Sequence, residues 1–356
     1  YKPRFELSGK VLYSKVSKLF ELFEEILLHT HFDDEKRLKE ILNQLKSRLE
    51  MGFMSNGHST AVNRAMSYFS QGSWYKELVE GIAFYQFLCD TLKNYETRKV
   101  EVIRRLNSIG QKIFRKAYLL ADMTMNQEGL QLCLKPLAAF EGKLYTTPMS
   151  ETDCSIKAVG ICPKHGEAFI TAGMVQYNAC TGSFAESGIT YNGSMNVLKN
   201  VLGNEYLWNN VRVKGGAYGC MCGFAPSGNG YFTSYRDPNL AKTYDIYTDA
   251  AAYVQSLELD ERELTKYIIG AIGAIDTPMT ASMKGSRSLA AYLGERSFEQ
   301  IQKNRDELLS TTVEDLRKLS GAVAAITEAG HICVIGSESK ITEEKERFEH
   351  VEQLIQ

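Results

Sequence analysis

The run Leu207-Trp-Asn-Asn-Val-Arg-Val-Lys-Gly-Gly-Ala-Tyr-Gly219 decides how the rest of the chain is read. Before it, Asn196 to Trp208 has the spacing of a helix. After it, Tyr218 to Phe224 reads as a strand. The pair Gly215-Gly216 therefore joins a helix end to a strand, where glycine permits a tight turn or a close approach of another chain. Such a joint holds Arg212 and Tyr218 at a fixed separation. Arginine is a persistent cation whose fork of donors suits carbonyl or carboxylate oxygens. A tyrosine hydroxyl donates to an oxygen on which charge is growing. Taken in isolation, the stretch favours the plainer use: a helix-terminal arginine and a half-buried tyrosine.

Outward from this joint, Tyr231 to Tyr235 pairs with the first strand across Pro226-Ser-Gly-Asn-Gly230, a hairpin turn. Ser234-Tyr-Arg-Asp-Pro-Asn239 then opens a helix. Ser234 or Asp237 serves as a cap, Pro238 suits the first turn, and Arg236 either pairs with Asp237 or faces substrate. Helical patterns follow near 239–257, 260–274, 282–294, 297–309 and 312–325. A closing strand is expected at His331–Ile335 and a last helix at 341–355, while Ala168 to Tyr177 reads as a strand. Strands followed by helices give an α+β domain over 154–356, with an antiparallel-rich sheet and helices packed on one face. Residues 126–153 read as a connector with one short helix. Residues 1–125 read as mostly helical, bent between Met51 and His58, with one strand at Lys116–Met125. A helical layer without a sheet cannot bury its apolar face alone, so a chain cut inside a domain is expected.

The 356 residues are 44% hydrophobic and 24% charged, as in an ordinary globular protein. Net charge is −2, without the basic excess of a general nucleic-acid binder, and no apolar run of about 20 residues is present. No nucleic-acid or membrane partner is therefore expected. Eight cysteines at irregular spacings read as reduced, mostly buried thiols. The six histidines form neither H-E-x-x-H nor its inverse H-x-x-E-H, and His29-Thr-His31 has the wrong spacing for one helical face. G-x-S-x-G and a phosphate-binding loop are both missing. No metal site is expected in this chain.

Tyr206 to Gly219 and Ser234 to Asn239, supported by Ile268-Ile-Gly-Ala-Ile-Gly-Ala-Ile-Asp276, Lys284-Gly285 and Asn304-Arg-Asp-Glu-Leu-Leu309, resemble the last domain of presequence-protease-type peptidases. These belong to the insulinase-like (pitrilysin) zinc metallopeptidases. Gly57-His58, Ala61 and Arg64-Ala65 resemble the helical part of the preceding domain. The resemblance implies four related α+β domains in two halves that close over a peptide chamber. Residues 1–125 would end the third domain, and 154–356 would form the fourth. Zinc would be bound by an N-terminal half that is absent from this chain, so the chain alone is expected to be inactive. Arg212 and Tyr218 match the arginine and tyrosine presented across the chamber as catalytic and substrate-binding residues, with Gly215, Gly216 and Arg236 beside them. The implied partners are that N-terminal half and unstructured peptides. The implied compartment is the cytoplasm in a bacterium or an organelle lumen in a eukaryote, not the exterior. A catalytically silent subunit or a peptide-binding module is the alternative.

Overall fold

The computed structural model describes residues 3–146 and 159–355. It falls into two compact units, one of Tyr1–Leu45, Leu88–Lys157 and Pro278–Ser297, the other of Lys46–Phe87, Ala158–Thr277 and Phe298–Gln356.

The amino-terminal helices are α1 (Val16–Leu28), α2 (Glu35–Met66), α3 (Gln71–Glu80), α4 (Ile82–Lys93), α5 (Tyr95–Ile113) and α6 (Gln127–Glu141). In the first unit, α1 and α6 pack through aromatic rings. Phe20 and Phe23, three apart on one face of α1, meet Phe140 at 5.7 and 6.5 Å. The Asn126 side chain caps α6 by accepting from the Gly129 N–H, and the Tyr13 hydroxyl donates to the same oxygen at 2.9 Å. The expected strand at 116–125 is not one. It begins as a 3-10 turn at Lys116–Tyr118 and, among the described residues, continues without a sheet partner; Arg115 just before it forms an isolated bridge to Tyr145. Its apolar run has the composition of a strand, but among the described residues no edge completes a ladder with it.

The second unit is built on one six-stranded sheet. Its strands are β1 (Glu167–Thr171), β2 (Tyr177–Ser183), β3 (Gly219–Phe224), β4 (Asn229–Tyr235), β5 (His331–Ser337) and β6 (His350–Gln353), in the spatial order β3-β4-β2-β5-β1-β6. The three pairings from β3 to β5 are antiparallel, and β1 runs parallel to both β5 and β6. The fold is thus α+β around an open, mixed sheet in which antiparallel pairs predominate. Ala168 to Tyr177, expected as one strand, is two: the chain leaves β1 at Thr171 and returns at Tyr177 with β5 lying between them. The expected helix at 341–355 also gives way. Only Glu338–Glu343 is α-helical, with a 3-10 turn at Lys345–Arg347, and His350–Gln353 pairs with the free edge of β1, a tertiary gain that outweighs local propensity.

One face of the sheet carries α7 (Ser194–Val201), α8 (Ala241–Gln255) and α13 (Ser320–Thr327), with α9 (Glu261–Ile275), α11 (Phe298–Leu309) and α12 (Val313–Lys318) around them; α10 (Ala281–Leu293) lies in the first unit. Val197, Leu198, Tyr244, Tyr247, Val323 and Ile326 interleave there with Phe184, Phe232 and Val334 of the sheet side. The opposite face meets the carboxyl-terminal part of α2. There Arg64 grips Glu167 of β1 with two hydrogen bonds of 2.5 and 2.9 Å and Glu77 of α3 with a third of 3.1 Å. All three side chains are buried. Burial raises the Glu77 carboxyl above its usual pKa, and the guanidinium, the Asn63 amide and the Ala83 N–H oppose that shift.

Candidate active site

Leu202–Val213 continues α7, but as a π-helix rather than the expected α-helix. Its buried residues are Leu202, Tyr206, Leu207 and Val211, a repeat of four to five residues that matches the wider winding. Two contacts close it: the Gly216 N–H donates to Arg212 at 2.8 Å, and the Ala217 N–H reaches back six residues to Val211 at 3.1 Å. Both glycines are needed for different reasons. Gly216 has a φ of 82°, in the left-handed region. A Cβ at Gly215 would run into the carbonyl oxygen of Val211.

This cap brings Arg212 and Tyr218 together. The Arg212 guanidinium lies 4.1 Å from the centre of the Trp208 ring and 5.6 Å from that of Tyr218. Tyr218 is 64% exposed and Trp208 42%, so both rings border solvent. The Tyr218 N–H donates to the Tyr235 carbonyl at 3.1 Å, which pins it to the start of the β3–β4 hairpin.

Arg236 also belongs to this surface. Its backbone takes a left-handed φ of 49°, uncommon for a residue with a side chain, and its guanidinium sits 5.4 Å from the Tyr235 ring. Burial pushes the Tyr177 phenol upward, and the nearby Arg236 opposes that shift. The expected Arg236–Asp237 pair is not formed. The Asp237 carboxylate is buried and accepts from Thr243 at 2.7 Å, from Asn178 at 3.2 Å and from the Asn239 N–H at 2.9 Å. Neither Asp237 nor Ser234 caps α8; its N-cap residue is Leu240, with no side-chain cap bond.

Four members of the cluster were not anticipated from sequence. Besides Trp208, they are Tyr177, Tyr235 and His58. Tyr235 lies 5.8 Å from Tyr218, 5.6 Å from Tyr177 and 5.0 Å from His58, ring centre to ring centre. His58 comes from α2, which kinks at Asn56. The kink releases the Met54 carbonyl, which accepts the Tyr177 hydroxyl at 2.6 Å, and Gly57 leaves room for the Tyr177 ring. Only the i, i+4 spacing of Trp208 and Arg212 was available as a signal in the sequence.

The remaining cysteine near the site is Cys220, half-buried; burial pushes its thiol up to about 11, with Arg212 opposing. All seven described cysteines are free and five are buried. Among the described residues, no group of three or more His, Cys, Asp or Glu is placed to hold a metal. No helix among them is long and apolar enough to cross a membrane.

Two family models account for most of the chain. Residues 166–338 match the PreP C-terminal domain, and residues 1–91 match the peptidase-associated domain of M16 subfamily C. The chain belongs to the insulinase-like peptidases, in their presequence-protease branch. Among relatives in this family, Protein HypA of Clostridium perfringens is 33% identical over all of this chain, which spans 36% of that protein. Presequence protease 1, chloroplastic/mitochondrial, of Arabidopsis thaliana is 29% identical over 94% of the chain, which covers 31% of it. The chain therefore spans about a third of the length of these relatives. The fold agrees: a peptidase M16 inactive domain from Pseudomonas fluorescens superposes with a TM-score of 0.56 at 14% identity, covering 91% of this chain and 75% of that one.

Proposed function

We propose that this chain is the substrate-facing carboxyl-terminal part of a peptidase that degrades unstructured oligopeptides. In this reading residues 1–125 end the third of four related domains, 126–153 connect, and 154–356 form the fourth. The observation that carries the reading is the exposed Tyr218 phenol beside the Arg212 guanidinium, 5.6 Å away, on a joint shaped by two glycines. The family resemblance assigns the zinc to an amino-terminal half of the same polypeptide.

The chemistry assigned to this chain is limited to binding and charge stabilisation. Tyr218 donates its hydroxyl to the scissile carbonyl oxygen as charge develops. Arg212 orients the peptide through its guanidinium edge, and Arg236 extends the same contact surface. Gly215 and Gly216 let peptide and backbone approach closely. Both side chains become useful only when the two halves close, which restricts substrates to flexible chains that fit the enclosed space. The compartment proposed is the cytoplasm of a bacterium or the lumen of a eukaryotic organelle.

The test is Tyr218→Phe in the full-length protein. It is expected to lower kcat by ~10–1000-fold with metal content unchanged. Unaltered turnover removes Tyr218 from the reaction.

A further inference from the structure

Arg212 differs from most arginines of this fold in what it lacks. Arg64, Arg98 and Arg305 each reach a carboxylate at 2.5 Å. Arg212 lies over the rings of Trp208 and Tyr218 and has, among the described residues, no hydrogen-bond or ion-pair partner for its N–H edge. Stacking holds the plane of a guanidinium while leaving its in-plane donors available, and those donors match the two oxygens of a carboxylate. The surroundings add positive charge without cancelling it. Lys214 bonds only the neutral Asn210 side chain, and the Arg236 guanidinium lies over the Tyr235 ring. No carboxylate pairs with any of these three cations among the described residues. Asp237, the acid next in sequence to Arg236, is already occupied by Asn178, Asn239 and Thr243.

We propose that this site recognises a carboxylate of the peptide, with Arg212 as the receiving fork and Trp208 as the positioning residue that holds it edge-outward. A neutral main-chain carbonyl would satisfy one donor and leave the local charge unbalanced. A carboxylate accepts two parallel bonds and balances it. The inference rests on the peptidase reading above and adds a preference to it: peptides that place an acidic side chain, or their own carboxyl terminus, at this position are taken in preference to neutral ones.

The test is competitive cleavage by the full-length protein of unstructured peptides in pairs. One set walks a single glutamate, against glutamine, through an end-blocked peptide. A second compares a free carboxyl terminus with its amide. At one position the glutamate peptide is expected to win by about tenfold in kcat/KM, chiefly through KM. If only the free terminus wins, the carboxylate is the terminal one. Arg212→Met should erase either preference, and Tyr218→Phe should slow both members of a pair alike and keep it. Equal cleavage of every pair by the wild-type protein, with turnover still dependent on Tyr218, overturns carboxylate recognition and leaves the peptidase reading standing. Cleavage of no peptide overturns both.

Discussion

Gly216 and its φ of 82° show what one residue contributes here. A Cβ at this position forces the left-handed backbone at a cost of about 1–2 kcal/mol. Gly216→Ala is expected to lower the denaturant midpoint accordingly and to reduce kcat/KM of the full-length protein by displacing Tyr218 from Arg212. The histidines give a second expectation. Burial holds His58 below its usual pKa, and burial with the nearby His165 does the same to His331. The unfolded chain therefore takes up these protons at higher pH than the folded one. Their contribution to stability is complete above about pH 6.5 and drains away as pH falls below it. Urea denaturation at pH 7.5 and 5.5 should show a smaller acid loss in a His58→Gln/His331→Gln variant than in wild type. At this scale the closeness of Arg212 and Tyr218 across Gly215-Gly216 was legible in sequence because they sit within seven consecutive positions. Tyr177, Tyr235 and His58 were not, because only the folded sheet brings α2 against the hairpin.

Among the elements, the buried Arg64–Glu77–Glu167 cluster joins α2, α3 and β1. Removing its cation leaves two buried carboxylates with far less compensation. Arg64→Met is expected to cost about 3–5 kcal/mol, read as a fall in the denaturant midpoint of the second unit's transition. A Glu77→Gln change, which keeps the shape and removes one charge, should cost less. The same scale explains where the sequence misled. Helices with caps were legible, as at Asp260, where a capping box starts α9, and at Thr312, where another starts α12. The hairpin across Pro226–Gly230 was legible from its turn residues. The segments at 116–125 and 341–355 were not. Strand formation depends on whether an edge is free, and local pattern does not record that: β1 offered one to His350–Gln353, and none of the described residues pairs as a strand with Lys116–Met125.

For the whole molecule, the expected division of labour is sharp. The isolated chain should bind no stoichiometric zinc by elemental analysis and cleave no peptide, while the full-length protein should cleave unstructured peptides and stop when a chelator is added. A chain that hydrolyses peptides alone would overturn that division. Family membership was legible because its motif residues are local, and sheet order was not, because β1 is brought between β5 and β6 from more than 150 residues away. The π-wound segment from Leu202 has a consequence for how such a site arises. An α-helix advances roughly 100° per residue, and the wider helix advances about 20° less. Over the ten residues from Leu202 to Arg212 the difference amounts to roughly half a revolution. The same letters rewound conventionally would carry the guanidinium across the buried stripe to the helix's other flank. Whether this surface exists is therefore set by the pitch of one stretch of backbone, and an insertion or deletion there would silence it without touching a single contact residue.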